Sequence, residues 1–414
     1  MATKLVVVDR MTPMLLPCDL RDWVAADDLV HFVIEAVEGM DLRGVGVNER
    51  GSGSAQYPPG MLLALLIYSY ANGVFSSRRI ERSTYQHVSV RYLCGETHPD
   101  HDTIAAFRAR HTEVLRQAFT EVLRLARALK LVQLGTVHID GTKILADASK
   151  RASLDGSTLD QQLELVDREV AEKLLVQAAL ADTPEADEAY RLPQELANAA
   201  QRKAKLQVAR ELLTQRTGGG KSAPTVNLTD PDSRIMPAPK GGFVQAYNAQ
   251  LAVESRGLIV GQTVCQATSD RAELVAVAAT IPAEPGEMAQ VVADMGYDNQ
   301  SQIEAVEEKW ATTVICAPQP GRTAAPAARC TAQRTQLATA RQRRGRWARG
   351  PYGRELLHQR QTTIEPVIGH LKHVLGFRRF HLRGLEKVRG EWSLLATAYN
   401  CRQLWSRVQL RDRN

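Results

Sequence analysis

Ile364-Glu365-Pro366-Val367-Ile368-Gly369-His370-Leu371-Lys372, followed by Gly376-Phe377-Arg378-Arg379-Phe380, is the stretch on which the reading of this chain turns. It sets one carboxylate on a helix in the most basic part of the sequence, with a lysine two turns further on. A surface that only grips an anion has little use for a lone acid among arginines. The acid makes sense where a metal is held beside the anion. Pro366 disfavours helical backbone at the residue before it and suits a first helical position, so Glu365 is expected at a helix start or kink. Glu365, Gly369 and Lys372 then share one side, with Lys372 about 10.5 Å further along the axis. Ile364, Ile368, Leu371 and Leu375 form the neighbouring apolar stripe, expected to pack on a sheet. The plainer alternative is an ordinary amphipathic helix carrying a surface ion pair.

Two further acids stand far upstream on expected strand ends. They are Asp140 in Val137-His138-Ile139-Asp140-Gly141-Thr142 and Asp294 in Val291-Val292-Ala293-Asp294-Met295-Gly296-Tyr297. Taken singly, an aspartate at a strand end is more often a turn residue than a ligand. Taken with Glu365, the acids suit an all-oxygen site for divalent ions, and the sequence offers no Cys/His ligand spacing. Two such ions about 3.5–4 Å apart can activate an attacking oxygen and stabilise a leaving one at a phosphodiester. In that arrangement Asp140 bridges both ions, while Asp294 and Glu365 each hold mainly one.

The formal charge of +6 over 414 residues hides an asymmetry. Residues 321–414 carry 20 Lys+Arg against 5 Asp+Glu, a net of +15, which leaves −9 for the rest. That density marks a polyanion partner, most plausibly nucleic acid. A disordered basic tail fits less well, because Trp347, Phe377, Phe380, Trp392, Tyr399 and Trp405 are interleaved with the charges. Gly369 leaves room for a DNA backbone, with Lys372, Arg378 and Arg379 on its phosphates. The six cysteines are scattered without a CxxC pair, which argues for reduced thiols in a cytosolic protein and against a disulfide scaffold or zinc ribbon. No secretory leader or membrane span is expected; the apolar run from Met61 to Phe75 is too short and reads as a buried helix.

Along the chain, residues 15–130 read as helical. Helix starts are expected at Asp27-Asp28, Pro58-Pro59-Gly60 and Ser76-Ser77, and His98-Pro99-Asp100-His101-Asp102-Thr103 precedes one long amphipathic pattern from Ile104 to Leu123. These helices suit a DNA-reading module or a plain bundle equally. Thr136 to Asp140 reads as a strand ending at its acid. Residues 155–216 turn acidic, alanine-rich and helical, with breaks expected at Thr183-Pro184 and Leu192-Pro193. Gly218-Gly219-Gly220-Lys221 reads as a hinge rather than a phosphate loop. Strands are expected at Phe243–Val253, Leu258–Cys265, Gln290–Asp294 and Thr312–Cys316, with helices at Asp270–Ala279 and Ser301–Trp310. The sum is a mixed α/β core with acids at two strand ends.

At this point the residues resemble a family. The chain is similar to the DDE transposases of bacterial insertion sequences, closest to the group designated 1182 within the 4/5-type assemblage. The segment Tyr57 to Phe119, with His98-Pro99-Asp100-His101-Asp102-Thr103-Ile104, resembles the N-terminal transposase domain. His138-Ile139-Asp140-Gly141-Thr142-Lys143 resembles the first-acid motif, and Tyr247-Asn248-Ala249-Gln250 the strand after the insertion. Ala293-Asp294-Met295-Gly296-Tyr297 resembles the second-acid motif. Glu365 to Lys372 and Gly376 to Phe380 resemble the third-acid helix and its sequel; these last blocks are the more specific.

The resemblance implies a ribonuclease-H-like mixed sheet core with a helical insertion, preceded by an all-helical N-terminal domain. The divisions are 1–130 for DNA binding, 131–154 with 225–320 for the catalytic core, 155–224 for the insertion, and 321–414 for the basic region bearing the third acid. It implies Asp140, Asp294 and Glu365 as the catalytic triad on two Mg²⁺ ions, with Mn²⁺ able to substitute, and DNA contacts at Lys143, Arg360, Lys372, Arg378 and Arg379. Arg360 leaves four residues before the acid, where the related signature has three, and Leu357 stands where a tyrosine is expected. Cys316 and Cys330 are what remains of a cysteine cluster that many relatives carry, so no structural zinc is expected. The implied partners are double-stranded DNA, at terminal inverted repeats and a target site, and a second copy of the chain. The implied location is the cytoplasm, at the bacterial nucleoid. The implied activity is endonucleolytic cleavage and strand joining. A transposase relic that only binds DNA, and a nuclease of the same fold that cuts without joining, remain open.

Overall fold

Helix starts follow the capping acids. Asp28 Oδ1 accepts the Val30 amide at 2.8 Å and opens α1 (Leu29–Glu38), and Asp100 Oδ1 accepts the Thr103 amide at 2.6 Å to open α5 (His101–Arg110). Between them lie α2 (Pro59–Ala71), with proline at its first position, α3 (Ser77–Gln86) and α4 (Val88–Leu93). The computed structural model describes residues 19–46, 56–180, 186–216, 224–238, 241–283, 286–316 and 350–412. The Gly218–Lys221 hinge, Cys330 and the basic run 321–349 lie outside the described residues.

The expected long helix from Ile104 is two helices. His111 leaves the helical region (φ −104°, ψ 45°), and α6 (Thr112–Ala128) starts afresh to lie along the C-terminal helix α12 (Leu385–Asp412). α6 packs closely on α12 where it starts: a Cβ on Gly390 would sit 2.8 Å from Thr112 Cβ.

Strands β1 (Thr136–Leu145), β5 (Phe243–Glu254), β6 (Ile259–Cys265), β7 (Gln290–Ala293) and β8 (Thr313–Cys316) build a mixed sheet in the order β6-β5-β1-β7-β8. β5 is antiparallel to β1 and β6, whereas β1, β7 and β8 run parallel. A short β4 (Arg234–Pro237), unforeseen, pairs with the start of β5. β1 does not end at its acid. It continues to Leu145 because its antiparallel register with β5 holds through Leu145↔Ala246.

Between β1 and β5, β2 (Ser153–Asp155) and β3 (Thr225–Asn227) pair at the base of an insertion made of α7 (Gly156–Leu180) and α8 (Ala186–Thr214). Leu159, Leu163, Val166, Leu206, Ala209 and Leu213 give this hairpin its own small core. α8 runs through Pro193, where a break was expected. Further on, α9 is only Leu274–Ala278, and α10 spans Gln300–Trp310.

The decisive stretch lies within α11 (Pro351–Gly369), which passes into a single π-helical turn, His370–Val374. Glu365 is therefore in a helix interior, not at a start. Pro351 takes the first position instead, and Pro366 is accommodated because Ile364, Val367, Leu371 and Leu375 are buried on the sheet. That burial outweighs the local penalty of the proline. The N-terminal helices, the sheet and α12 share one continuous hydrophobic core. Among the described residues, no helix is long and apolar enough to cross a membrane.

Candidate active site

The parallel register of β1 and β7 pairs Ile139 with Ala293, so the next residues stand side by side, Asp140 still within β1 and Asp294 just past the end of β7. Each is tied to its own backbone. Asp140 Oδ1 accepts the Gly141 amide at 2.8 Å, and Asp294 Oδ1 accepts the Met295 amide at 2.6 Å as it caps a turn of 3₁₀ helix. The Cys316 thiol, from the end of β8, donates to the Asp294 carbonyl at 3.0 Å and steadies that strand end. α11 crosses β1, β5 and β7 and brings Glu365 toward the same end of the sheet; its side chain is 58% exposed.

Arg360 joins two of the acids. It is 7% exposed, with Nη1 2.8 Å from Asp140 Oδ2 and Nη2 3.9 Å from Glu365 Oε1. Burial pushes the Asp140 carboxyl above the usual range, and the Arg360 charge and hydrogen bond pull against it. His138, two residues earlier on β1, is pushed down to about 4 by burial and by Arg360, so it is a neutral imidazole at physiological pH. As arranged, Asp140, Asp294 and Glu365 do not close a metal cage: among the described residues no group of three or more His, Cys, Asp or Glu side chains is set to hold an ion. The donor chemistry nonetheless fits a hard divalent cation, since Asp140 within β1 and Asp294 just past the end of the adjoining β7 both offer carboxylate oxygens.

The expected basic residues divide by face. Lys372 sits in the π-helical turn and donates to Thr142 Oγ1 at 2.8 Å and to the Lys143 carbonyl at 3.2 Å, so it straddles β1 close to Asp140. Burial, followed by the nearby Arg378, lowers its pKa. Arg378 and Arg379 are exposed on a strap whose backbone pairs with Leu145: the Leu145 amide donates to the Arg378 carbonyl at 3.1 Å, and the Phe380 amide donates to Leu145 at 2.9 Å. Beside this strap an open cavity of about 610 Å³ is lined by Lys150, Phe243, Arg379 and Arg383, among others. Lys143 points to the opposite side of the strand from Asp140, with Nζ 3.8 Å from Asp270 Oδ1.

Asp270 went unnoticed in the sequence. Its Oδ1 accepts Asn248 Nδ2 and Gln250 Nε2, each at 2.7 Å, and the Tyr297 hydroxyl donates to Gln250 Oε1. This chain of bonds pins the turn that carries Asp294. It also explains Gly141, where a Cβ would lie 2.5 Å from Asp270 Oδ1. The signal in the sequence was the alternate polar pair Asn248 and Gln250, which share one face of the strand.

A second buried network lies behind the strap. Glu391 on α12, 0% exposed, accepts the Tyr70 hydroxyl at 2.8 Å and the amides of His381 and Leu382 at 2.9 and 3.0 Å. Arg108 from α5, 4% exposed, stands 3.9 Å from Glu391 and donates to Tyr70 Oη and to the Phe75 carbonyl, both at 2.7 Å. Burial opposes ionisation of Glu391, yet the hydrogen bond from His381 and the Arg108 charge hold its carboxyl below the usual range.

Two stretches of the chain match known families. Residues 224–401 match the family described as Transposase DDE domain, and residues 19–110 match the one described as Transposase domain (DUF772). The first match contains Asp294, Glu365 and Arg360; Asp140 lies ahead of it, across the insertion. No curated protein and no solved structure matches the chain. Residues 19–110, in the N-terminal helices, thus match one transposase domain, and residues 224–401, which hold most of the sheet and the helices after it, match a DDE transposase domain; together the two matches support a DDE transposase of the insertion-sequence type.

Proposed function

We propose that the chain cuts DNA at the ends of an insertion sequence and joins the freed 3′ ends to target DNA, using Asp140, Asp294 and Glu365. The observation that carries this reading is the β1/β7 register, which brings two acids 154 residues apart in sequence side by side on adjoining strands, beneath the helix of the third. The strand order, with β1 central and β5 antiparallel to it, supports a ribonuclease-H-like core. Magnesium bound by these acids, as two ions with manganese able to substitute, supplies Lewis-acid stabilisation of the attacking and leaving oxygens.

The chain's own residues orient the DNA. Lys372 beside Asp140, and Arg378 and Arg379 on the strap, hold successive backbone phosphates, and the cavity between Lys150 and Arg383 continues that track. Lys143 enters the track only by leaving Asp270. Phosphate contacts of this kind make binding fall steeply with salt. The helices of residues 1–130 read the terminal inverted repeats, and two copies pair the two ends.

The test is cleavage and strand transfer on labelled DNA carrying the repeats that flank the gene, in Mg²⁺ and in EDTA. The wild type is run beside Asp140→Asn, Asp294→Asn and Glu365→Gln. Metal-dependent joining that is lost in all three variants, with DNA binding retained, is the expected result. Cleavage without joining would make the protein a nuclease, and binding without chemistry a relic. Activity surviving in one variant would remove that acid from the site.

A further inference from the structure

Arg360 is a buried guanidinium among acids, and its place is hard to reconcile with a plain DNA contact. At 7% exposure it cannot reach a phosphate outside the site without moving. Asp140, the most enclosed of the three acids, has both oxygens occupied, one by the Gly141 amide and the other by Arg360 Nη1. Nη2 faces Glu365 at 3.9 Å. The guanidinium thus fills the gap between the first and third acids with a positive charge, and no three-acid cation group is assembled around it among the described residues. A divalent ion entering there must displace a like charge from Asp140.

We propose that Arg360 is the resident counter-cation of the acid cluster, exchanged for the divalent ion and handed on to a DNA phosphate, so that metal loading creates a DNA contact. This rests on the reading of Asp140, Asp294 and Glu365 as the metal site. The exchange is balanced in charge: the incoming ion takes over neutralisation of the carboxylates, and the guanidinium leaves with its single charge and its donors unpaired. A phosphate oxygen pair is the partner that matches its planar fork. Arg360 lies five residues before Glu365 on the same helix, about 7.5 Å along its axis, and its guanidinium already faces the exposed Glu365 through Nη2, so release from Asp140 leaves it beside the more exposed of these two acids. Linkage then requires that DNA raise metal affinity by the factor by which metal raises DNA affinity.

The experiment measures Mn²⁺ binding by calorimetry, without DNA, for the full-length wild type, Arg360→Gln, Arg360→Lys and Asp140→Asn. DNA affinity is measured in parallel, in EDTA and in Ca²⁺ at matched ionic strength. Arg360→Gln is expected to bind Mn²⁺ about tenfold tighter or more, because a like charge ~4 Å away has been removed. Arg360→Lys keeps the charge and stays near wild type. Arg360→Gln should bind DNA like wild type in EDTA and more weakly in Ca²⁺. Where Arg360→Gln melts below the assay temperature, Arg360→Met keeps the packing of the stem and serves the same test. Unchanged Mn²⁺ affinity in a folded Arg360→Gln, with loss in Asp140→Asn, overturns the exchange and leaves the metal site standing. Equal loss of DNA affinity in EDTA and Ca²⁺ makes Arg360 a constant phosphate contact and also overturns it. No Mn²⁺ binding by wild type or by Arg360→Gln removes the metal site and the exchange together.

Discussion

Replacing Glu391 by Gln tests how the N-terminal helices are joined to the strap that carries Arg378 and Arg379. The carboxylate is fully buried and faces donors only: the Tyr70 hydroxyl and the amides of His381 and Leu382, with His381 Nδ1 at 3.3 Å and Arg108 at 3.9 Å. Glutamine removes the charge that balances Arg108 and turns one acceptor into a donor, so one set of these donors meets another donor. Breaking a buried pair from one side costs ~3–5 kcal/mol. Arg108 keeps its bonds to Tyr70 Oη and Phe75 O, which places the expected loss at the lower end, about 3 kcal/mol. The assay is urea unfolding of wild type, Glu391→Gln, Arg108→Met and the double variant. Because each single change strands the other charge, the double variant should lose at least about 1.5 kcal/mol less than the two single losses combined. His381 and Leu382 close the strap that holds Arg378 and Arg379, so Glu391→Gln should also weaken DNA binding at temperatures where it remains folded. A single-variant loss under about 1 kcal/mol, or simple additivity in the double, would refute the view that this buried charge pair holds the two parts together.

Other expectations concern the site directly. His138 is 1% exposed and titrates at about 4, so between pH 6.5 and 4 the unfolded chain takes its proton first. Its contribution is therefore complete above pH 6.5 and declines as pH falls, by about 3 kcal/mol in all; His138→Leu should flatten that limb of the stability profile, and an unchanged limb would contradict the burial argument. Gly141→Ala forces a methyl to within 2.5 Å of Asp270 Oδ1 and should cost ~1–3 kcal/mol in thermal or urea unfolding, with a larger fall in cleavage than in DNA binding. Wild-type stability in that variant would mean that the Asp270 contact yields freely. Lys372→Met loses the bonds to Thr142 and the Lys143 carbonyl, at a cost of ~1–2 kcal/mol, and should lower the salt slope of DNA binding by about one if Nζ also holds a phosphate. An unchanged slope would leave it as a tie between the π-helical turn and β1.

What could be read from the chain beforehand was what is written locally. Asp28 announces its helix through a cap that needs only the next few residues, and the alternation around Asp140 and before Asp294 marks the strands beside the acids. Local signals failed where distant packing overruled them. Pro366 argued for a helix start at Glu365, yet the apolar stripe through Ile364, Val367 and Leu371 binds the whole of α11 to the sheet and carries the helix past its proline. The split at His111 falls beside a contact that no local signal shows, since Thr112 packs against Gly390, nearly three hundred residues away, where a Cβ would lie 2.8 Å from it. β1 outruns its acid because the partner that extends it, β5, lies beyond the insertion. The charges were the hardest to read, because a basic residue in a basic region gives no sign of which acid it will meet. Lys143 meets Asp270, and Arg360 meets Asp140 across 220 residues of sequence. Both carry the charge that a phosphate contact requires, and in this structure both spend it on a carboxylate beside or behind the site. For residues of this kind the sequence identifies the charge that DNA could use, whereas the fold decides what must first be displaced before DNA can use it.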